Sequence, residues 1–139
     1  MSVYQNISSR TIIEKGWSGD QKYCAITADG QKYLLRISTI DRLERKRREY
    51  EKMSEVAQLG ISMCMPVEFG TCDEGTYSIQ SWIDGVDAEE TIMAMDADTQ
   101  YRYGWDAGQI LAKIHTIPAP TDAPSWETRF NAKIDRKIA

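Results

Sequence analysis

Hydrophobic and polar positions alternate along the chain from Arg10 to Ser38, and turn residues interrupt the alternation twice. The first interruption is the glycine-containing stretch Gly16 to Gly19, and the second is Asp29-Gly30, a dipeptide typical of tight hairpins. Alternation with a period of two is typical of strands that bury one face. The pattern therefore predicts three consecutive antiparallel strands.

The next segment has the period of a helix instead. One charged helix is predicted from about Asp41 to Leu59, and Gly60 follows it as a C-terminal stop. Alternation then returns in Val67 to Gly70 and in Thr76 to Trp82, on either side of the turn Asp73-Glu74-Gly75. This part of the chain is predicted to form a second hairpin after the helix.

Beyond Gly85 the pattern is helical throughout. A short helix is predicted near Ala88 to Met95, a longer one near Ala97 to Thr116, and a final one from Ser125 after a proline-rich break. Apolar side chains line one face of each of the two longer helices: Tyr103, Ala107, Ile110, Leu111 and Ile114, then Trp126, Phe130, Ile134 and Ile138. Because the apolar face of the last helix continues to the end of the sequence at Ala139, we expect the chain to be a fragment of a longer protein.

Composition excludes several classes of function. The net charge of -4 and the isoelectric point near 5.0 argue against a nucleic-acid-binding surface, which needs an excess of clustered lysine and arginine. The amino terminus is polar, and no run approaches the roughly 18 apolar residues that span a bilayer, so a cytoplasmic protein without a membrane partner is expected. The three cysteines form no C-x-x-C pair, so neither a disulfide framework nor a zinc site is predicted.

Four local sequences stand out when they are taken in their order along the chain. They are Lys15-Gly16-Trp17-Ser18, Tyr33-Leu34-Leu35-Arg36-Ile37-Ser38, Ser81-Trp82-Ile83-Asp84-Gly85 and Gly108-Gln109-Ile110-Leu111-Ala112-Lys113-Ile114-His115. Together these motifs resemble the N-terminal portion of the aminoglycoside phosphotransferase family, which has a protein-kinase-like fold, and the resemblance covers nearly the whole chain.

The resemblance implies an α+β fold divided into three parts. Residues 1–82 are expected to form a nucleotide-binding N-lobe, a five-stranded antiparallel sheet with one main helix. Residues 83–86 are expected to form the hinge. Residues 87–139 then begin a helical C-lobe that is incomplete in this chain.

The resemblance also implies how a nucleotide is held. The turn is expected to lie over the phosphates, with backbone N–H groups at Gly16 and Gly19 and the hydroxyl of Ser18 as donors. Arg36 stands in the place of the family's strand lysine, and its guanidinium can grip phosphate with two hydrogen bonds. Lys32 is a weaker candidate for that role, because it begins its strand beside a turn.

A helix carboxylate is expected to pair with Arg36, and Glu49 is favoured over Glu51. Backbone groups of Ser81 and Ile83 are expected to bind adenine at the hinge. His115, the only histidine, is better explained as a residue at the end of a helix than as a general base. No catalytic residue and no metal ligand is predicted within this chain.

The family resemblance implies an ATP- or GTP-dependent enzyme, with magnesium, that transfers the γ-phosphate to a hydroxyl of a small molecule such as an aminoglycoside antibiotic, which would confer antibiotic resistance. Such an enzyme needs a segment resembling H-G-D-x-x-x-x-N, and none follows His115. This chain alone is therefore expected to be inactive. The alternatives are a non-catalytic nucleotide-binding or protein-interaction module, with self-association through its uncovered apolar face, and a plain α+β domain with an accidental resemblance.

Overall fold

The computed structural model describes residues 2–16 and 18–138, so Trp17, within the predicted turn, and Ala139, at the predicted end of the last helix, lie outside it. The strands are β1 (Ile7–Ile12), β2 (Gln21–Thr27), β3 (Lys32–Ser38), β4 (Pro66–Cys72) and β5 (Gly75–Ser81), and the helices are α1 (Leu43–Ala57), α2 (Ala88–Thr91), α3 (Ala97–Ile114) and α4 (Trp126–Ile138). Short 3₁₀ turns cover Tyr4–Asn6, Ile40–Arg42 and Ile92–Ala94.

The strands form one antiparallel sheet in the order β1-β2-β3-β5-β4. This confirms the predicted sequence of three strands, a helix and two strands. The main helix is shorter than predicted, because residues Ile40–Arg42 form a 3₁₀ turn before it. Its predicted stop is confirmed, since Gly60 has a φ of 64°, in the region that favours glycine.

Two glycines determine the hairpin turns. Gly30 has a φ of 84°, and its N–H donates to the Thr27 carbonyl at 2.9 Å, so Asp29-Gly30 forms the predicted turn between β2 and β3. Gly75 has a φ of 134°, and a Cβ at this position would lie only 2.1 Å from the Ser38 carbonyl oxygen. A side chain at Gly75 would therefore push β5 away from β3, the strand that carries Arg36.

One face of the sheet carries the hydrophobic core. Its buried residues are Ala25, Leu35, Ile37, Tyr77 and Ile79. The N-terminal segment covers this face, and Tyr4 stacks on Tyr77 with 4.2 Å between ring centroids. Glu68 fixes the segment by accepting hydrogen bonds from Ser2 Oγ at 2.6 Å and from the Val3 N–H at 2.5 Å. The N-terminal residues thus cover the hydrophobic core.

Helix α1 packs on the opposite face of the sheet. Tyr50 of the helix meets Phe69 of β4 with ring centroids 5.4 Å apart, and the Arg47 guanidinium lies 5.5 Å from the Phe69 ring. Apart from Phe69, the strand residues that line the space between α1 and the sheet are mostly polar, and they include Arg36, Ser78 and Gln80. The sheet therefore has one face that holds the apolar core and a second face on which polar residues predominate.

The predicted helices after residue 85 are confirmed. Asp87 caps α2 by accepting from the Glu89 N–H, and Asp96 caps α3 by accepting from the Thr99 N–H at 2.9 Å. His115 lies at the C-terminal cap of α3, as expected. Within the described ranges, no helix has the length and apolar character that a membrane span requires.

Candidate functional site

The polar face of the sheet centres on Asp20, a buried carboxylate between the glycine turn and β2. Its Oδ2 accepts from Arg36 Nη2 at 2.7 Å and from Lys46 Nζ at 2.9 Å, and its Oδ1 accepts from Ser38 Oγ at 2.5 Å. The Asp20 side chain is only 2% exposed. A carboxylate so far from water is stable only because it has these partners.

Electrostatics keep Asp20 ionised despite its burial. Burial by itself raises the pKa of this carboxyl, but hydrogen bonds from Ser38, Lys46 and Arg36 outweigh it and lower the pKa from 3.8 to about 2. The carboxylate is therefore negative at any physiological pH. It can hold the two cations in fixed positions beside the glycine turn.

Arg36 is placed with its guanidinium toward that turn. Its Nε donates to Asp20 at 3.2 Å, and its Nη2 donates to both Asp20 and Ser18 Oγ, the latter at 3.2 Å. Since a guanidinium has five N–H donors, Nη1 remains without a hydrogen bond to any residue of 2–16 or 18–138. The structure thus brings together two of the predicted site residues, Arg36 and Ser18.

The expected ion pair between Arg36 and Glu49, or its alternative Glu51, does not form among the described residues. Arg36 pairs with Asp20 instead. Glu49 accepts from Lys46 at 2.8 Å and from Arg45 at 2.9 Å, and these bonds lower its pKa against the effect of burial, which raises it. The link from strand to helix runs instead from Arg36 to Asp20 and on to Lys46. The reason is geometric, because Asp20 stands between β3 and α1 and can reach both cations.

Asp20 and Lys46 are the residues that sequence reasoning missed. An Asp after a glycine turn usually serves the turn itself, and the run from Arg42 to Arg48 has the composition of a solvated helix face. The available signal was the spacing within α1. Lys46 lies four residues before Tyr50, which packs on the sheet, so Lys46 shares the inward face.

The glycine turn is bordered by two more cations. Gly16 has a φ of 107°, and a Cβ there would lie 2.5 Å from Lys22 Nζ. A Cβ on Gly19 would lie 3.1 Å from Arg42 Nη1. Because neither predicted glycine has a side chain, both leave space for positively charged groups beside the turn.

The predicted hinge follows β5 directly. The Ser81 N–H is already used, because it donates to the Met65 carbonyl at 2.8 Å, while Ser81 Oγ accepts from the Met65 N–H. Ile83 forms no hydrogen bond with the described part of the chain, and its side chain is 56% exposed. Salt bridges also connect the start of the glycine turn to the residues that follow the hinge. Lys15, which precedes the turn, pairs with Asp87 at 2.9 Å and with Glu90 of α2.

Between α1 and the sheet lies a cavity of about 30 Å³, lined in part by Asp20, Arg36 and Gln80. Gln80 is 4% exposed, and its Nε2 has no hydrogen-bond partner among the described residues. Such a buried donor, in a cavity of this size, suits a bound water.

The site residues fit a nucleotide better than they fit a metal held by protein side chains alone. The turn and the open Nη1 of Arg36 offer hydrogen-bond donors that phosphate can use. In contrast, residues 2–16 and 18–138 contain no cluster of three His, Cys, Asp or Glu side chains arranged for a metal ion. The three cysteines are likewise free thiols.

Comparison with solved structures identifies the fold. The chain is similar to a variant of the kinase domain of PknI from Mycobacterium tuberculosis, with a TM-score of 0.50 and 12% sequence identity. The match covers 84% of this chain and 52% of that domain, so the chain spans about half the length of the solved structure. The fold is a protein-kinase-like N-lobe followed by part of a helical lobe.

Comparison with curated proteins finds no match. A family model described as APH, Phosphotransferase enzyme family, matches residues 9–139. The match includes the glycine turn, strands β2 to β5 and all four α-helices. This chain belongs to the phosphotransferase enzyme family.

Proposed function

We propose that the protein is an ATP-dependent phosphotransferase that transfers the γ-phosphate to a hydroxyl of a small molecule, such as an aminoglycoside, and that this chain supplies the nucleotide-binding lobe. The observation that carries the proposal is the Arg36 guanidinium, held by Asp20 and Ser18 beside the glycine turn. In a kinase-like lobe this is where the phosphates of the nucleotide lie.

Four groups of the described chain would share the binding of the nucleotide. Arg36 keeps Nη1 available for a phosphate oxygen, and Ser18 accepts from Arg36 while its own hydroxyl hydrogen stays available for a phosphate. The free N–H of Ile83 would donate to the adenine ring, with the Ser81 carbonyl as the acceptor beside it. ATP and GTP share the phosphate contacts, so both are candidates.

Magnesium would enter with the nucleotide. The residues described here do not by themselves form a site for it, and no step of the proposal depends on one. Since no H-G-D-x-x-x-x-N segment follows His115 in this sequence, we propose that the chain on its own binds nucleotide without transferring phosphate.

Titration calorimetry with MgATP tests the binding function. We expect saturable binding by the wild-type chain and affinity lowered about tenfold or more in Arg36→Ala, because a hydrogen bond to a charged group contributes about 1.5–3 kcal/mol. The matched control is Arg10→Ala, since Arg10 pairs with Glu74 at 2.7 Å on strand β1 and hydrogen-bonds to neither Asp20 nor Ser18. The control is expected to bind as wild type does.

A folded wild-type chain that binds neither MgATP nor MgGTP would refute the proposal. The kinase-like architecture would then remain without its function, and the protein-interaction module would become the better explanation. For the whole protein, mass spectrometry of aminoglycosides incubated with MgATP tests the acceptor, with a mass gain of one phosphate as the expected result.

A further inference from the structure

Lys22 lies directly opposite Arg36 in the pairing of β2 with β3. Residues paired in this way project from the same face of the sheet, so two cations stand side by side on the polar face. Like charges in that position destabilise a sheet unless something compensates them. A local conflict of this kind is expected at functional sites.

The charge of Arg36 is already compensated. Arg36 and Lys46 both contact Asp20, and Glu49 accepts from Lys46 and Arg45, so each of these cations has an acidic partner. Lys22 differs, because its Nζ donates to a neutral group, the Lys15 carbonyl, and forms no salt bridge with the described residues. Arg42, which borders the turn at Gly19, also forms no salt bridge with them, so Lys22 is the uncompensated cation that stands directly beside Arg36.

Gly16 gives the Lys22 ammonium its position. A Cβ on Gly16 would lie 2.5 Å from Nζ, which is closer than any contact real Cβ atoms show, so a larger residue would displace the ammonium. The ammonium also fixes the turn by its bond to the Lys15 carbonyl. Since an ammonium has three N–H donors, two remain for a ligand.

From these contacts we propose that Lys22 is a phosphate-binding residue, and that its ammonium supplies an uncompensated positive charge that the phosphates of a nucleotide meet beneath the glycine turn. The inference rests on the proposed function and deepens it. In this proposal the guanidinium of Arg36, held in place by Asp20, orients the phosphates. The ammonium of Lys22 attracts them by its uncompensated charge.

The test compares Lys22→Met with Lys52→Met by titration calorimetry, using MgATP and adenosine as probes. Lys52 is a suitable control because it lies on α1 outside the residues of the site and pairs with Glu55 at 2.7 Å. We expect Lys22→Met to weaken MgATP binding by roughly tenfold and to leave adenosine binding unchanged, because adenosine has no phosphate. Lys52→Met should match wild type, and Lys22→Arg should retain most of the MgATP affinity.

Salt gives a second measurement that does not rest on one variant. If Lys22 binds phosphate, MgATP binding by wild type weakens with added salt more steeply than binding by Lys22→Met or by its polar replacement, Lys22→Gln. Far-ultraviolet circular dichroism shows which of these variants is folded and can be used.

Two results would overturn the inference while leaving the proposed function intact. One is MgATP binding by Lys22→Met as tight as that of wild type, with the same salt dependence. The other is an equal loss of MgATP and adenosine binding, which would make Lys22 a structural residue of the turn. Failure of the wild-type chain to bind either probe is distinguishable, because it refutes the nucleotide function itself.

Discussion

The sheet and the helices that follow it are built from equally regular patterns, yet only the sheet has an interior. Leu35 and Ile79 are 0% exposed, and the buried core lies entirely between the strands and the N-terminal segment. In contrast, α2, α3 and α4 contain no buried residue. Their large side chains remain open to solvent, including Tyr101, Tyr103, Trp105, Leu111, Trp126, Phe130 and Ile138.

This difference shows that periodicity predicts the type of an element but not its burial. The apolar stripe of α3 is as regular as the alternation of β3, but no described element covers it. Some aromatic side chains of these helices cover one another instead, as with Trp126 and Phe130 of α4, whose ring centroids are 4.7 Å apart. Stability is therefore expected to reside in the sheet, and the proposed binding site lies on that stable part.

The largest expected contrast is between two leucines. Leu35→Ala should lower the free energy of unfolding by about 2–5 kcal/mol, because the residue is fully buried and its removal leaves a cavity. Leu111→Ala, at a side chain 51% exposed on α3, should change it by less than about 0.5 kcal/mol. Urea unfolding followed by near-ultraviolet circular dichroism measures both, and similar losses in the two variants would mean that α3 shares the core.

An intermediate effect is expected from pH, through Asp20. Its folded pKa of about 2 lies below its ordinary value of 3.8, so the stabilisation is fully present above pH 3.8 and is lost as the pH falls toward 2. The shift corresponds to about 2 kcal/mol. The stability difference between wild type and Asp20→Asn, measured by urea unfolding from about pH 6 downward, should shrink by that amount. A difference independent of pH would show that Asp20 is not held as an ion.

The smallest expected effect has the opposite sign. Gly104 lies in the interior of α3, and a Cβ there would meet no atom within 4 Å. Gly104→Ala should therefore stabilise α3 by roughly 0.5–1 kcal/mol without changing the unfolding of the sheet. Helix content by circular dichroism should rise while the near-ultraviolet transition stays in place. A parallel shift of both would show that the two regions unfold together.

The fold could be predicted from the sequence because each element has a local cause. Gly30, Gly60 and Gly75 all have positive φ values at the turns and the helix stop where the pattern predicted them. The start of α1 was placed too early, since a 3₁₀ turn and an α-helical turn have nearly the same sequence preferences.

The site could be predicted only in outline. Arg36 and Ser18 follow from local motifs, and the structure brings them within 3.2 Å of each other. The roles of Asp20, Lys46 and Lys22 depend on contacts between residues distant in sequence, such as the 26 positions that separate Asp20 from Lys46. Patterns within a single element carry no information about such pairs.

Amide hydrogen exchange with and without MgATP tests the central claim most directly, because it reports on the sheet, the site and the helices in one measurement. The account predicts slow exchange in β3 and β5, faster exchange in α3 and α4, and further slowing by MgATP confined to the glycine turn, the start of α1 and the hinge at Ser81 to Ile83. Exchange slowed by MgATP only in α3 and α4, with no change at the turn or the hinge, would contradict it.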